Sequence, residues 1–285
     1  MKGVFYIAGG EQFLDEAIQS AKSVREQTDY PISILTDDAA MREEDVFDEV
    51  ILVSDVDWSW AVKPQYLQEA PYETCVFLDT DTYLADSRGL DDLFDLLDNG
   101  VDIAASHGPF NQASLQYDTS VTGVTAPLSL PWFNTGVLAF NQTTKVKELF
   151  DTWEDLQAEF NEQIDNVNDQ VSFRQAVYEQ DIVPHTLPTE YNYRVTFPQV
   201  LRNKAFIVHE HATNLAEIEA IVNAGEMPRL RAYNGVRIDD EVAVFQLNEH
   251  TVLRRIFRGK EYLKRKGFRR TLERIIELIR QGGTS

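Results

Sequence analysis

Strand-like apolar runs alternate with helix-like patterns through the first hundred residues, and this alternation constrains the fold more than any other feature of the chain. Gly3–Ala8 is an apolar run stopped by Gly9-Gly10. Glu11–Gln27 follows, with Leu14, Ala17, Ile18, Ala21 and Val24 on one helical face. Pro31–Leu35 and Glu49–Val53 read as further strands and Ala61–Glu69 as a helix. Thr74–Leu78 is a strand, Leu90–Leu97 a helix stopped by Asn99-Gly100, and Val101–Ala105 another strand. An apolar run without polar alternation belongs to a strand covered on both faces. The expected class is therefore α/β, a mostly parallel sheet covered by helices. Gly9-Gly10 does not extend to Gly-x-Gly-x-x-Gly and no P-loop occurs, so neither phosphate-binding fingerprint is present.

Residues 106–132 are rich in Gly, Ser, Thr, Pro and Gln and show no periodicity. Loops this long inside compact domains are usually functional or mobile, and this one is either a lid over an acceptor or an ordinary surface loop. Phe133–Asn141 is a strand with polar punctuation at each end. Helices are expected over 143–160 and 168–179, and Ala205–Val208 is a late strand that delivers His209 and His211.

The chemistry concentrates at Val76-Phe77-Leu78-Asp79-Thr80-Asp81-Thr82. A buried strand ends in two carboxylates one residue apart, at the rim where open α/β sheets hold ligands. Residues i and i+2 of an extended chain point the same way, so Asp79 and Asp81 repel unless a cation lies between them. Mg²⁺ or Mn²⁺ suits such a pair, bridging it to substrate phosphates.

These segments, in their order, resemble the GT-A nucleotide-sugar glycosyltransferases. They are most similar to the family 8 group that includes lipopolysaccharide galactosyltransferases and glycogenin. The likeness covers roughly residues 1–212 and rests on the opening strand and helix, on Lys63, and on Phe77-Leu78-Asp79-Thr80-Asp81. It also rests on Phe133-Asn134-Thr135-Gly136-Val137-Leu138, Asp169-Gln170 and Val208-His209. It implies a GT-A fold and transfer of a sugar from a nucleoside diphosphate sugar to a hydroxyl acceptor, with retention. It further implies a donor site of Ile7, Ala8, Asp37, Lys63, Asp79, Thr80 and Asp81, and a metal on Asp79, Asp81 and His209. Asn134, Asp169 and Gln170 would act on the sugar. Imidazole with two carboxylates suits Mn²⁺ somewhat better than Mg²⁺. The chain departs from the family after the histidine: His209-Glu210-His211-Ala212-Thr213-Asn214 lacks the Gly and Lys-Pro-Trp that help hold the diphosphate.

Plainer roles compete at single positions. Asp169 suits a helix N-cap, Lys63 a solvated lysine at a helix start, and His209 a core histidine, while His211 competes with His209 for the metal. Trp132, Tyr191 and Tyr193 are either sugar-ring platforms or packing. Two other activities stay open. A haloacid-dehalogenase-like phosphatase also carries Asp-x-Asp-x-Thr after an apolar strand, though that signature normally opens its domain and here three strands precede it. A catalytically inactive sugar-nucleotide binder is the other.

Charge narrows the partners. The net charge of −21 opposes binding to nucleic acid and matches the surfaces of proteins from salt-loving organisms. It is unevenly spread: residues 250–285 carry 11 Lys/Arg against 3 Glu, residues 1–249 carry 15 against 44 acids. The expected division is a catalytic domain over 1–249 and a basic amphipathic tail over 250–285. Phe268, Leu272, Ile275, Ile276 and Ile279 form one apolar stripe there, with Arg269, Arg270, Arg274 and Arg280 flanking or opposing it. Such a segment suits an anionic membrane surface holding a lipid-linked or other glycan acceptor. No apolar run is long enough to span a bilayer. The N-terminus lacks a signal-peptide layout, and the single Cys75 suits a cytoplasmic protein.

Overall fold

The computed structural model describes residues 1–59, 61–108, 123–164, 167–197 and 199–247. The chain opens with β1 (Lys2–Ile7), α1 (Glu11–Gln27), β2 (Ile32–Thr36), β3 (Glu49–Leu52) and α2 (Val62–Tyr66). Next come β4 (Thr74–Leu78), β5 (Thr82–Leu84), α3 (Arg88–Asp98), β6 (Ile103–His107) and β7 (Phe133–Asn141). Helices α4 (Thr144–Gln163) and α5 (Asp169–Glu179) precede β8 (His185–Leu187), β9 (Gln199–Leu201) and β10 (Ile207–His209). The last described elements are α6 (Leu215–Val222), β11 (Arg231–Ile238) and β12 (Glu241–Gln246).

Seven strands form the main sheet in the order β3-β2-β1-β4-β7-β6-β8. Strand β7 runs antiparallel to β4 and β6, and the other neighbours are parallel. The period-2 alternation of each strand splits its apolar residues between two cores. Phe5, Phe77 and Phe140 face Phe150, Trp153 and Phe173 of α4 and α5. Val4, Tyr6, Val76 and Ala139 belong to the other core, with Leu14 and Ala17 of α1 and Leu90 of α3. Each such side chain contributes roughly 1.5–3 kcal/mol on burial, which is why these strands read as unbroken apolar runs.

Helix α1 and strands β4 and β7 have the bounds expected from sequence. Three expectations need correction. The helix over Ala61–Glu69 is α2 followed by a 3₁₀ turn at Leu67–Glu69. Strand β6 begins and ends two residues later than expected. The late strand is Ile207–His209, because Asn223 takes both backbone groups of Ala205 and Phe206 N bonds Glu190 O. It lies outside the main sheet and pairs with β5. Strands β9, β11 and β12 make a separate three-stranded sheet over a third core that includes Tyr193, Val208 and Tyr233. Sequence reading missed them: β9 has only three residues, and polar Asn234 and Gly235 interrupt β11.

Most of the expected lid, residues 109–122, lies outside the described residues, as does the basic tail. Among the described residues no helix is long and apolar enough to cross a membrane.

Candidate active site

The main sheet's carboxyl edge, at the ends of β1 and β4 and the start of β7, carries the site. Asp79 N donates to Gly136 O (2.8 Å), continuing the β4–β7 ladder to the first aspartate. Thr82 Oγ1 donates to Asp79 O (2.8 Å) and Glu210 N to Asp81 O (2.9 Å), so the turn between the carboxylates is fixed. Thr82 of β5 pairs with His209 of β10, which brings the imidazole onto the turn. His209 Nε2 lies 3.1 Å from Asp81 Oδ1 and 3.8 Å from Asp79 Oδ2. A Cβ on Gly136 would meet His209 Cε1 at 2.2 Å and Asp79 Oδ2 at 2.6 Å, so this approach requires glycine.

A relay of amides orients the imidazole. Gly136 N and Asn192 Nδ2 both donate to Asn134 Oδ1, at 3.0 and 2.7 Å. Asn192 Oδ1 is left to accept from His209 Nδ1 at 2.8 Å. That tautomer follows from the hydrogen-bond network, and it turns Nε2 toward the carboxylates. His211 reaches the other oxygen of Asp81, with Nδ1 3.0 Å from Oδ2, but is itself 44% exposed. Burial alone would raise the Asp81 carboxyl. His209, then His211 and Arg194, outweigh burial and hold it well below the ordinary carboxylate range.

The facing wall is built around Lys63, which α2 buries. Its Nζ lies 2.9 Å from Asp79 Oδ1, 3.2 Å from Asp169 Oδ2 and 3.2 Å from Thr135 Oγ1, which itself donates to Asp169 Oδ2 (2.8 Å). Burial pulls the ammonium down, but Asp169 and Asp79 together hold it above the ordinary lysine range. Asp169 is wholly buried, which raises its carboxyl against the pull of Lys63. It is not a cap: Asn168 caps α5, accepting from Gln170 N (3.1 Å), so the Asp169 side chain turns inward. Lys63 is likewise no solvated lysine.

Every residue named from sequence for the donor, metal or transfer lines one cleft of about 390 Å³, except Asp37. Asp37 is exposed and accepts from Trp58 Nε1 (2.7 Å), and it is Trp58 that lines the cleft. The indole lies flush on Gly9, where a Cβ would meet it at 1.8 Å. Phe13 also lines the cleft, whereas Trp132, Tyr191 and Tyr193 do not and take the packing role. Trp132 is buried beneath Arg174, Tyr191 donates to Asp92, and Tyr193 is buried in the third core. Trp58, Phe13, Asn192 and Arg194 were missed. The doubled glycine at 9–10 is the one local signal that a large side chain approaches there.

No protein-family model matches the sequence, and no curated protein matches it. Solved structures do match. The galactosyltransferase LgtC, in complex with donor and acceptor sugar analogues, superposes with a TM-score of 0.53 at 14% identity, over 79% of this chain and 98% of that one. The glycosyltransferase GlyE of Streptococcus pneumoniae gives 0.52 at 16%, over 79% of this chain and 60% of that one. The fold is GT-A.

Within this GT-A frame the acidic turn fits a divalent cation. Asp79, Asp81 and His209 each offer a ligand atom, all within 4.8 Å of one another. Asp81 Oδ2 is buried, and the half-exposed His211 is the charged group beside it. Two carboxylates with an imidazole steadied through its other nitrogen form a donor set for a hard to borderline divalent ion.

Proposed function

We propose that this chain is a metal-dependent glycosyltransferase moving a sugar from a nucleoside diphosphate sugar to a glycan or lipid-linked hydroxyl. The observation that carries the reading is the convergence of Asp79, Asp81 and His209 with Asn134, Asp169 and Gln170 in one cleft of a GT-A fold. Asp79, Asp81 and His209 hold Mn²⁺ or Mg²⁺, which supplies positive charge to the departing diphosphate. Trp58 and Phe13 offer apolar faces to the base, beside the backbone of Ile7 and Ala8. Asp169, whose buried Oδ1 has no partner among the described residues, accepts from a sugar hydroxyl. The amides of Asn134 and Gln170 orient the sugar without titrating. Retention follows from the family likeness alone.

The catalytic unit is 1–249. The basic tail of 250–285 holds it, as a cytoplasmic protein, against an anionic membrane. Flotation of the full chain, but not of a chain ending at Glu249, with anionic liposomes is the expected result. The deciding assay uses molar salt, which the net charge of −21 calls for, with Mn²⁺ and a panel of nucleotide sugars and phosphomonoesters. Chelator-sensitive turnover of one nucleotide sugar is expected. Phosphate release from a monoester would instead favour the phosphatase reading, and binding without turnover the inactive binder.

A further inference from the structure

The inference concerns the diphosphate and rests on the proposed donor class. Three carboxylates enter the cleft, from Asp79, Asp81 and Asp169, against one buried ammonium. One divalent ion makes this set neutral, and a diphosphate then adds further negative charge. Lys63 is committed to Asp169 and to Asp79 Oδ1, the oxygen turned away from His209. A second cation is therefore needed beside the metal ligands.

Arg194 meets that need. Tyr193 before it is clamped to β10 on both sides, with its N bonded to Ile207 O and its O accepting from His209 N, both at 2.9 Å. The next side chain, Arg194, lines the cleft with His209 and His211. Its guanidinium lies 3.6 Å from Glu210 Oε1 and 5.0 Å over the Phe197 ring. Glu210 is wholly buried and also holds Arg237 (3.1 Å), Thr196 N (3.2 Å) and Thr196 Oγ1 (2.6 Å). Two guanidiniums on one carboxylate leave the group net positive. Among the described residues Arg194 Nε is buried with no hydrogen-bond acceptor, an arrangement that costs energy until an anion supplies one.

We propose that Arg194 receives the donor's diphosphate and neutralises it as it departs, with Glu210 as its positioning residue. A planar guanidinium suits phosphate oxygens, and an anchor through Glu210 limits the ordering cost on binding.

The test is calorimetric titration of the full chain in molar salt, with Mn²⁺ alone and then with inorganic pyrophosphate in saturating Mn²⁺. Arg194→Met is expected to weaken pyrophosphate by on the order of 10–100-fold, as loss of a charged hydrogen bond does. Its Mn²⁺ affinity is expected to stay within about threefold of the parent, since Arg194 is not a ligand, and this also reports a folded site. Arg194→Lys keeps the charge and loses the fork, so a loss of several-fold is expected. Glu210→Gln should weaken pyrophosphate while sparing Mn²⁺. Parent-like pyrophosphate affinity in both Arg194 variants overturns the proposal, as does a loss seen only with His211→Ala. A parent chain that binds no Mn²⁺ overturns the metal site itself, and this assignment with it.

Discussion

The two walls of the cleft handle charge in opposite ways. On one, Lys63, Asp169 and Thr135 sit among α2, α5 and β7, buried and bonded to one another. On the other, His209 and the residues around it stand on the β5–β10 ribbon, where the half-open His211 is the group that meets Asp81 Oδ2. Asp79 is shared, one oxygen on Lys63 and the other toward His209. The closed wall has spent most of its charge on itself: it holds Asp79 in place and leaves Asp169 Oδ1 as an acceptor. The open wall keeps acceptors and donors in hand for a ligand.

The closed wall breaks most visibly in stability. Lys63→Met leaves Asp79 and Asp169 without their common cation in a buried setting, which costs about 3–5 kcal/mol. Urea denaturation at pH 7 measures it, and a loss below about 1 kcal/mol would show that the wall is not held by charge. Because the ammonium is held above the ordinary lysine range, its contribution is complete at neutral pH. It is lost only as pH rises beyond the value of an unfolded lysine.

The shared carboxylate and its neighbour come next. Asp79→Ala and Asp81→Ala should each lower turnover by on the order of 10²-fold, the scale of losing a main electrostatic stabiliser. Mn²⁺ titration of the same variants should show weakened binding. Full turnover in either variant, or in EDTA, would remove the acidic turn from the chemistry.

The residues carried by the buried strands and their ends were largely legible in the sequence, on both walls, and those in short irregular segments were not. Asp79 and Asp81 end an apolar run whose length and composition announce a doubly covered strand. Phe133–Asn141 does the same for the strand that carries Asn134 and Thr135. These strands lie between two cores, so burial imprints itself on every residue. Asn192, Arg194 and Trp58 stand in short, irregular segments, where no periodicity marks which side chain turns inward. Arg194 is aimed by a single-residue bridge from Tyr193 to Val208, a contact with no pattern in sequence. Asp37 was placed in the donor site by likeness, but a tryptophan 21 residues away intervenes between it and the cleft.

The finest test separates the two histidines of the open wall. Both stand over Asp81, as alternation along an extended chain requires, so their positions alone do not rank them. Their surroundings do. His209 is buried and its Nδ1 is bound to Asn192, which fixes the ring and turns Nε2 toward both carboxylates. Among the described residues His211 reaches only Asp81, from a half-exposed position, and no second hydrogen bond orients its ring. His209→Ala should therefore weaken Mn²⁺ by at least about tenfold, and Asn192→Ala by roughly tenfold through the lost orientation. His211→Ala should change Mn²⁺ affinity by no more than about threefold, since an exposed, unanchored side chain spends much of any gain on its own ordering. If His211→Ala lost the metal while His209→Ala kept it, the buried imidazole would be a packing group, and the amide relay through Asn134 and Asn192 would serve the fold rather than the site.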